Sequence, residues 1–166
     1  YESGELKERG DKPEPGEDPN IIVMTPERAH RLASHWAFIA RNYFKNPSYL
    51  RIDKRPVLFV YATRHIVGPV AEAISAARDL VRLQTGEEIF VVGDEAYFNV
   101  LDLNRSHGIH LLPEFVSNWA RLSAFDAITV YNPYESTRSR YAGEEGAKVF
   151  LQEVEKMYAH YSRYAR

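Results

Sequence analysis

The chain has 166 residues, 45% apolar and 27% charged, a balance that fits a folded globular protein and excludes a disordered or collagen-like one. Lys plus Arg number 21 and Asp plus Glu 23, and the resulting formal charge of −2 gives no support to nucleic-acid or membrane-surface binding as the main role. Cysteine is absent, which removes disulfides, thiolate zinc sites and cysteine nucleophiles together while leaving the compartment open. The one compositional bias is aromatic, with 11 Tyr, 8 Phe and 2 Trp making 13% of the chain.

Read from its start, the sequence opens on Tyr1 with no charged-then-apolar leader after it, so either a leader has been removed or the chain is an excerpt of a longer protein. Residues 1–24 read as a strand stub followed by an exposed loop. The stretch Glu5 to Asn20 is rich in proline, glycine and charges of both signs and has little to bury. Residues 25–166 read as a helix followed by three βα units. Thr25 is an N-cap and Pro26 fits the first helical position. Ala29, Leu32, Ala33, Trp36, Ile39, Ala40 and Tyr43 then recur at helical spacing up to about Phe44, and Asn46-Pro47 stops the run. The run Pro56 to Tyr61 is continuously apolar, the signature of a strand buried on both faces of a parallel sheet. A helix from Val70 to Gln84, with Ala73, Ile74, Ala77, Leu80 and Val81 inward, ends at Gly86. Ile89 to Val92, closed by Gly93 and Asp94, reads as a second strand. A short helix follows over Pro113 to Ala124, and Ala127 to Tyr131 reads as a third strand. The last helix starts near Gly143, with Ala147, Phe150, Leu151, Val154, Met157, Tyr158 and Tyr161 on one face. Strand ends at Tyr61, Asp94 and Tyr131 lie 33 and 37 residues apart, the spacing of βα units. The fold class is therefore α/β with consecutive parallel units, either a partial (β/α)8 barrel or an open doubly wound sheet.

Parallel α/β folds gather their chemistry at the carboxyl ends of strands. The stub offers Tyr1 and Glu2; the first full strand exits into Tyr61, Thr63, Arg64 and His65. The second exits into Asp94, Glu95 and Tyr97, and the third into Tyr131, Asn132, Tyr134 and Glu135. Each exit carries a ring together with polar groups, which suits a carbohydrate: sugar faces pack on rings and sugar hydroxyls bond to carboxylates, amides and guanidinium groups. The opposite ends, around Asp53-Lys54-Arg55 and Thr85-Gly86-Glu87, read as ordinary turns. Phosphate-binding glycine loops, a dinucleotide fingerprint and a nucleophile elbow are all missing. His107 and His110 lack a carboxylate pattern and read as loop residues. Asp94 has a plainer reading as a hydrogen-bonding group across the strand ends, and Arg64 as its ion-pair partner or that of Glu2. Neither a metal nor a cofactor is expected.

The segment His35-Trp36 followed by Tyr43-Phe44-Lys45-Asn46-Pro47-Ser48-Tyr49-Leu50-Arg51-Ile52-Asp53-Lys54-Arg55-Pro56, running into the strand that ends at Tyr61, resembles glycoside hydrolase families 99 and 71. Phe125 to Asn132 is also similar to a strand of that group. The resemblance implies a (β/α)8 barrel and, in the best-known members, endo-acting α-mannosidase activity. It implies that Glu2 faces the sugar from an early strand and that Tyr61 and Tyr131 line the cleft. Lys54 stands where the family usually has Gly, and Ala62 where hydrolytic members tend to carry Asp. The family's catalytic glutamates lie near a Trp on a later strand, and neither Trp36 nor Trp119 has such neighbours. No catalytic residue is therefore expected in this chain, and the substrate-lining set is Glu2, Tyr61, Arg64, Asp94, Tyr131 and Asn132.

Three readings of function follow. In the first, the chain is a central part of a glycoside hydrolase barrel that acts on an α-linked glycan, inactive alone and self-associating through exposed sheet edges. In the second, it is a complete, non-catalytic α/β module that binds a glycan or a protein through the same rim. A doubly wound small-molecule-binding domain is a third, and helices on both sides of the sheet would mark it.

Overall fold

The computed structural model describes residues 1, 3–7, 21–95, 119–129 and 143–162. The chain divides into two compact units, residues 1–95 with 118–129, and residues 96–117 with 130–166. In the first, a 3-10 turn (Ser3–Leu6) precedes β1 (Ile22–Val23) and α1 (Pro26–Tyr43). Then come β2 (Arg51–Ile52), β3 (Arg55–Val60), β4 (Ile66–Val67), α2 (Val70–Thr85), β5 (Phe90–Asp94), α3 (Trp119–Leu122) and β6 (Ala127–Thr129). Of the second unit, α4 (Gly143–Ser162) is described.

The helices start and stop where their capping chemistry directs. Thr25 Oγ1 accepts from the Arg28 amide at 3.3 Å ahead of Pro26, and α2 closes on Gly86 in the left-handed region at φ 74°. Along α1 the buried residues are Leu32, Ala33, Trp36, Ala37 and Ala40, with Phe44 just beyond; along α2 they are Val70, Ala73, Ile74, Ala77 and Val81. The predicted faces thus hold at their centres and thin at their margins: Ile39 and Leu80 are half-buried and Tyr43 is exposed.

The main sheet runs β2-β3-β5-β6, with β3, β5 and β6 parallel and only β2 antiparallel. Register pairs Leu58 with Val91 and Val60 with Gly93, then Gly93 with Ile128. Leu58, Val60, Ile89 and Val91 share one core cluster with the inward faces of both α1 and α2, so both helices cover the same face of the sheet. The other face carries Val57 and Val92, buried, and Phe59, 51% exposed. The expectation that β3 is buried on both faces throughout is corrected at Phe59. An unbroken apolar run fixes a strand but not how completely its second face is covered.

Tyr1 extends the sheet on the other side of β3. Its amine donates to Phe59 O at 2.7 Å and its carbonyl accepts from the Tyr61 amide at 2.9 Å, the alternation of a parallel pair. Val57, of the same parity as Phe59 and Tyr61, donates to Leu50 O, so this edge faces away from β5. Tyr1, β3, β5 and β6 therefore follow in chain order across the sheet with no reversal. A doubly wound sheet requires a reversal. β1 and β4 form a separate two-stranded parallel pair, Ile22 with Ile66 and Val23 with Val67.

The second unit's helix begins near Gly143 as expected, and Lys148 pairs with Glu144 and Glu145 on its first turns. Its apolar face is only partly as read: Phe150 is half-buried, but Ala147 is exposed and Leu151 is 60% exposed. Among the described residues no helix is long and apolar enough to cross a membrane.

Candidate functional site at the strand ends

The strands β3 and β5 end side by side, and their exits are tied together. Past Tyr61 the backbone turns sharply at Ala62, which adopts the left-handed region (φ 54°, ψ 35°) despite its β-carbon. The Ala62 amide donates to Asp94 Oδ2 at 2.9 Å, and Ser3 Oγ donates to the Ala62 carbonyl at 3.5 Å. The chain then makes a 3-10 turn over Thr63–His65 before joining β4. Asp94, Thr63 and Ser3 are all buried. Asp94 is thus a hydrogen-bonding group across the strand ends, the plainer of its two sequence readings.

Next to Asp94, Glu95 meets a guanidinium that the sequence reading did not single out. Arg121 of α3 donates from Nη2 to Glu95 Oε1 at 2.9 Å and from Nε to Oε2 at 3.3 Å. It also donates from Nη1 to the Ile66 carbonyl at 2.6 Å and from Nη2 to the Thr63 carbonyl. Both side chains are buried, at 5% and 9% exposure. A charge pair this dry is stable only with its lone pairs and protons satisfied, and the fork of Arg121 does that by holding backbone and carboxylate at once.

Of the predicted lining residues, Tyr61 and Asp94 come together at neighbouring strand ends, with Tyr61 half-buried. Arg64 has its backbone in the turn between them and β4. Glu2, Tyr131 and Asn132 lie outside the described residues, as do His107 and His110. Tyr1 lies beside β3 with its hydroxyl 3.0 Å from His35 Nδ1. Burial, reinforced by Glu5 and opposed by Arg31, pushes that phenol well above its ordinary value, so it stays protonated. Among the described residues no cluster of three or more His, Asp or Glu is arranged to hold a metal.

The opposite end of the sheet has a different character. Asp126 accepts from Arg55 Nη1 and Arg78 Nη2, each at 2.7 Å, and from the Val91 amide at 2.8 Å. Arg55 also lies over the Phe90 ring, 4.8 Å from its centre. The stretch that carries the family resemblance works here as a clasp. Arg51 grips Glu87 with both Nη atoms, at 3.1 and 2.9 Å, and donates to the carbonyls of Phe44 and Lys54. Tyr49 donates to the Val57 carbonyl at 3.0 Å and packs its ring on Phe44. Asp53 and Lys54, both at positive φ, make the two-residue turn between β2 and β3. These groups join the end of α1 to the base of β3, which is structural work away from the strand ends.

No family model, curated protein or solved structure matches the chain.

Proposed function

We propose that the chain is a run of consecutive units of a (β/α)8 barrel of the glycoside hydrolase family 99 and 71 kind, lining the cleft for an α-linked glycan without supplying the acid and base. The observation that carries this reading is the unreversed order of Tyr1, β3, β5 and β6, with both helices on one face and the exits of β3 and β5 at one end. Successive right-handed crossovers in one direction produce that arrangement, as in a barrel wall. Tyr61 supplies a ring at the rim, and Glu2, Arg64, Tyr131 and Asn132 belong to the same reading as the polar partners of sugar hydroxyls. Asp94 contributes from beneath, through the Ala62 amide.

A second reading, a non-catalytic binding module, draws support from the carboxylates of Asp94 and Glu95, both of which are bonded to protein groups. Titration of the chain with α-linked mannose oligosaccharides, followed by NMR, tests the glycan in either form. Saturable shifts for the Tyr61–His65 amides, lost in Y61A and not produced by a β-linked glucan, are expected. An unresponsive folded chain sinks the carbohydrate reading. Size-exclusion chromatography separates the two forms: open strand edges predict self-association, a finished module predicts a monomer.

A further inference from the structure

We infer that Glu95 and Arg121 are positioning residues for the candidate rim: as a buried clamp they fix the Ala62–Ile66 connection, and with it the backbone of Tyr61 and Arg64. The inference rests on the rim reading above for its ligand, but the clamp itself stands on geometry alone. The connection is five residues long and bends through a left-handed alanine, a conformation unfavourable for a residue with a β-carbon that persists only where its surroundings impose it. The His65 amide reaches Ala62 O at 3.0 Å, and the Ile66 amide reaches Thr63 O.

Ser3 Oγ holds the Ala62 carbonyl and β1 pairs with Ile66 at the far end; the two carboxylates at the end of β5 add restraint by two further routes. Asp94 holds the first residue directly, through the Ala62 amide. Glu95 holds the rest indirectly, by orienting Arg121 so that one guanidinium takes the carbonyls of both Thr63 and Ile66. Adjacent acids at one strand end thus grip both ends of the connection that leaves the next strand. A lysine at 121 could neutralise Glu95 but has no planar fork with which to hold two carbonyls and a carboxylate together. That difference separates a positioning role from simple charge balance.

The test uses the whole chain in three forms: wild type, R121K, and the doubly apolar E95M/R121M, which leaves no buried charge without a partner and so keeps the fold accessible. Amide hydrogen exchange is read first. The His65 and Ile66 amides are expected to lose at least tenfold more protection than Leu58 and Val91 in both variants. Wild-type protection at His65 and Ile66 in a folded variant overturns the clamp. Affinity for an α-linked mannose oligosaccharide is read second, with at least a tenfold loss expected in R121K, so that restoring the charge alone does not rescue binding. Binding at wild-type strength in R121K likewise overturns the positioning role. If the wild type binds no glycan, the proposed function fails while the exchange measurement still decides the clamp.

Discussion

The carboxylate of Asp94 takes the amide of Ala62 at 2.9 Å across the ends of two parallel strands, in a place where neither group meets bulk water. An amide left there without an acceptor forfeits its hydration with no return. D94A is therefore expected to lower unfolding free energy by about 2 kcal/mol. D94N, whose side-chain oxygen can still accept, should lose less than half of that. Urea denaturation of the three proteins checks the order; equal losses in the two variants would mean that the negative charge, not the accepting oxygen, is what matters.

The turn between β2 and β3 carries a removable strain. Asp53 and Lys54 sit at φ 49° and 66°, the paired left-handed conformation of a two-residue hairpin, in which the second position favours glycine. Lys54 is exposed, and its side chain has no packing to lose. The bond from Arg51 goes to its carbonyl, which glycine retains. K54G should gain about 0.5–1 kcal/mol, and K54V should lose at least as much because a branched β-carbon is worse at positive φ. A thermal midpoint that falls in K54G would contradict the account.

The hairpin also shows what the sequence could and could not disclose. Periodicity and capping residues found α1, α2, β3 and β5 within a residue or two, because those signals are local: Thr25, Gly86 and the run at Pro56–Val60 act on their own neighbourhoods. The two-residue strands β1, β2 and β4 carry too few side chains for any period, and β1 with β4 exists only through pairing across more than forty positions. The candidate site divides in the same way. Strand exits pointed to Tyr61 and Asp94 as residues at one end. Nothing local in Trp119-Ala120-Arg121-Leu122 reveals that Arg121 reaches back to Glu95, Thr63 and Ile66, since a buried guanidinium is defined by its distant partners. Tyr49 and Arg51 stand in the stretch read as resembling glycoside hydrolases, yet their bonds describe a clasp, a reminder that a motif can mark architecture as readily as chemistry.

Gly93 on β5 leaves no room for a β-carbon beside the Phe125 ring. A β-carbon at position 93 would meet ring atoms of Phe125 at 2.7 and 2.8 Å, well inside van der Waals contact, and the ring is itself buried. Backbone conformation is not the reason for this glycine; space is. G93A should cost about 1–3 kcal/mol, the range for overfilling a packed interior. In an F125L background the same substitution should cost clearly less, because the smaller side chain vacates the volume the new methyl needs. A double-mutant cycle measures the coupling, and additive losses would show that the ring is not what excludes the methyl.

Asp126 contributes a pH dependence on the acid side of this fold. Its burial alone would raise its pKa, but the Val91 amide, Arg78 and Arg55 outweigh that and hold the carboxyl below the ordinary carboxylate range. A carboxyl that binds protons less readily when folded than when unfolded adds stability that is fully present above its unfolded value, near 4. That contribution falls away as pH drops through the lower, folded value, where protonation removes the charge that two guanidinium groups face. Unfolding free energy should therefore decline on acidification from pH 5 towards pH 2, and D126N should flatten that limb. At pH 7 the variant should lose about 2 kcal/mol, since the asparagine oxygen can serve fewer donors and cannot offset the charges of Arg55 and Arg78. Urea midpoints taken across this interval for both proteins give the answer: parallel curves would assign the acid sensitivity to other carboxylates, whereas convergence at low pH locates it in Asp126.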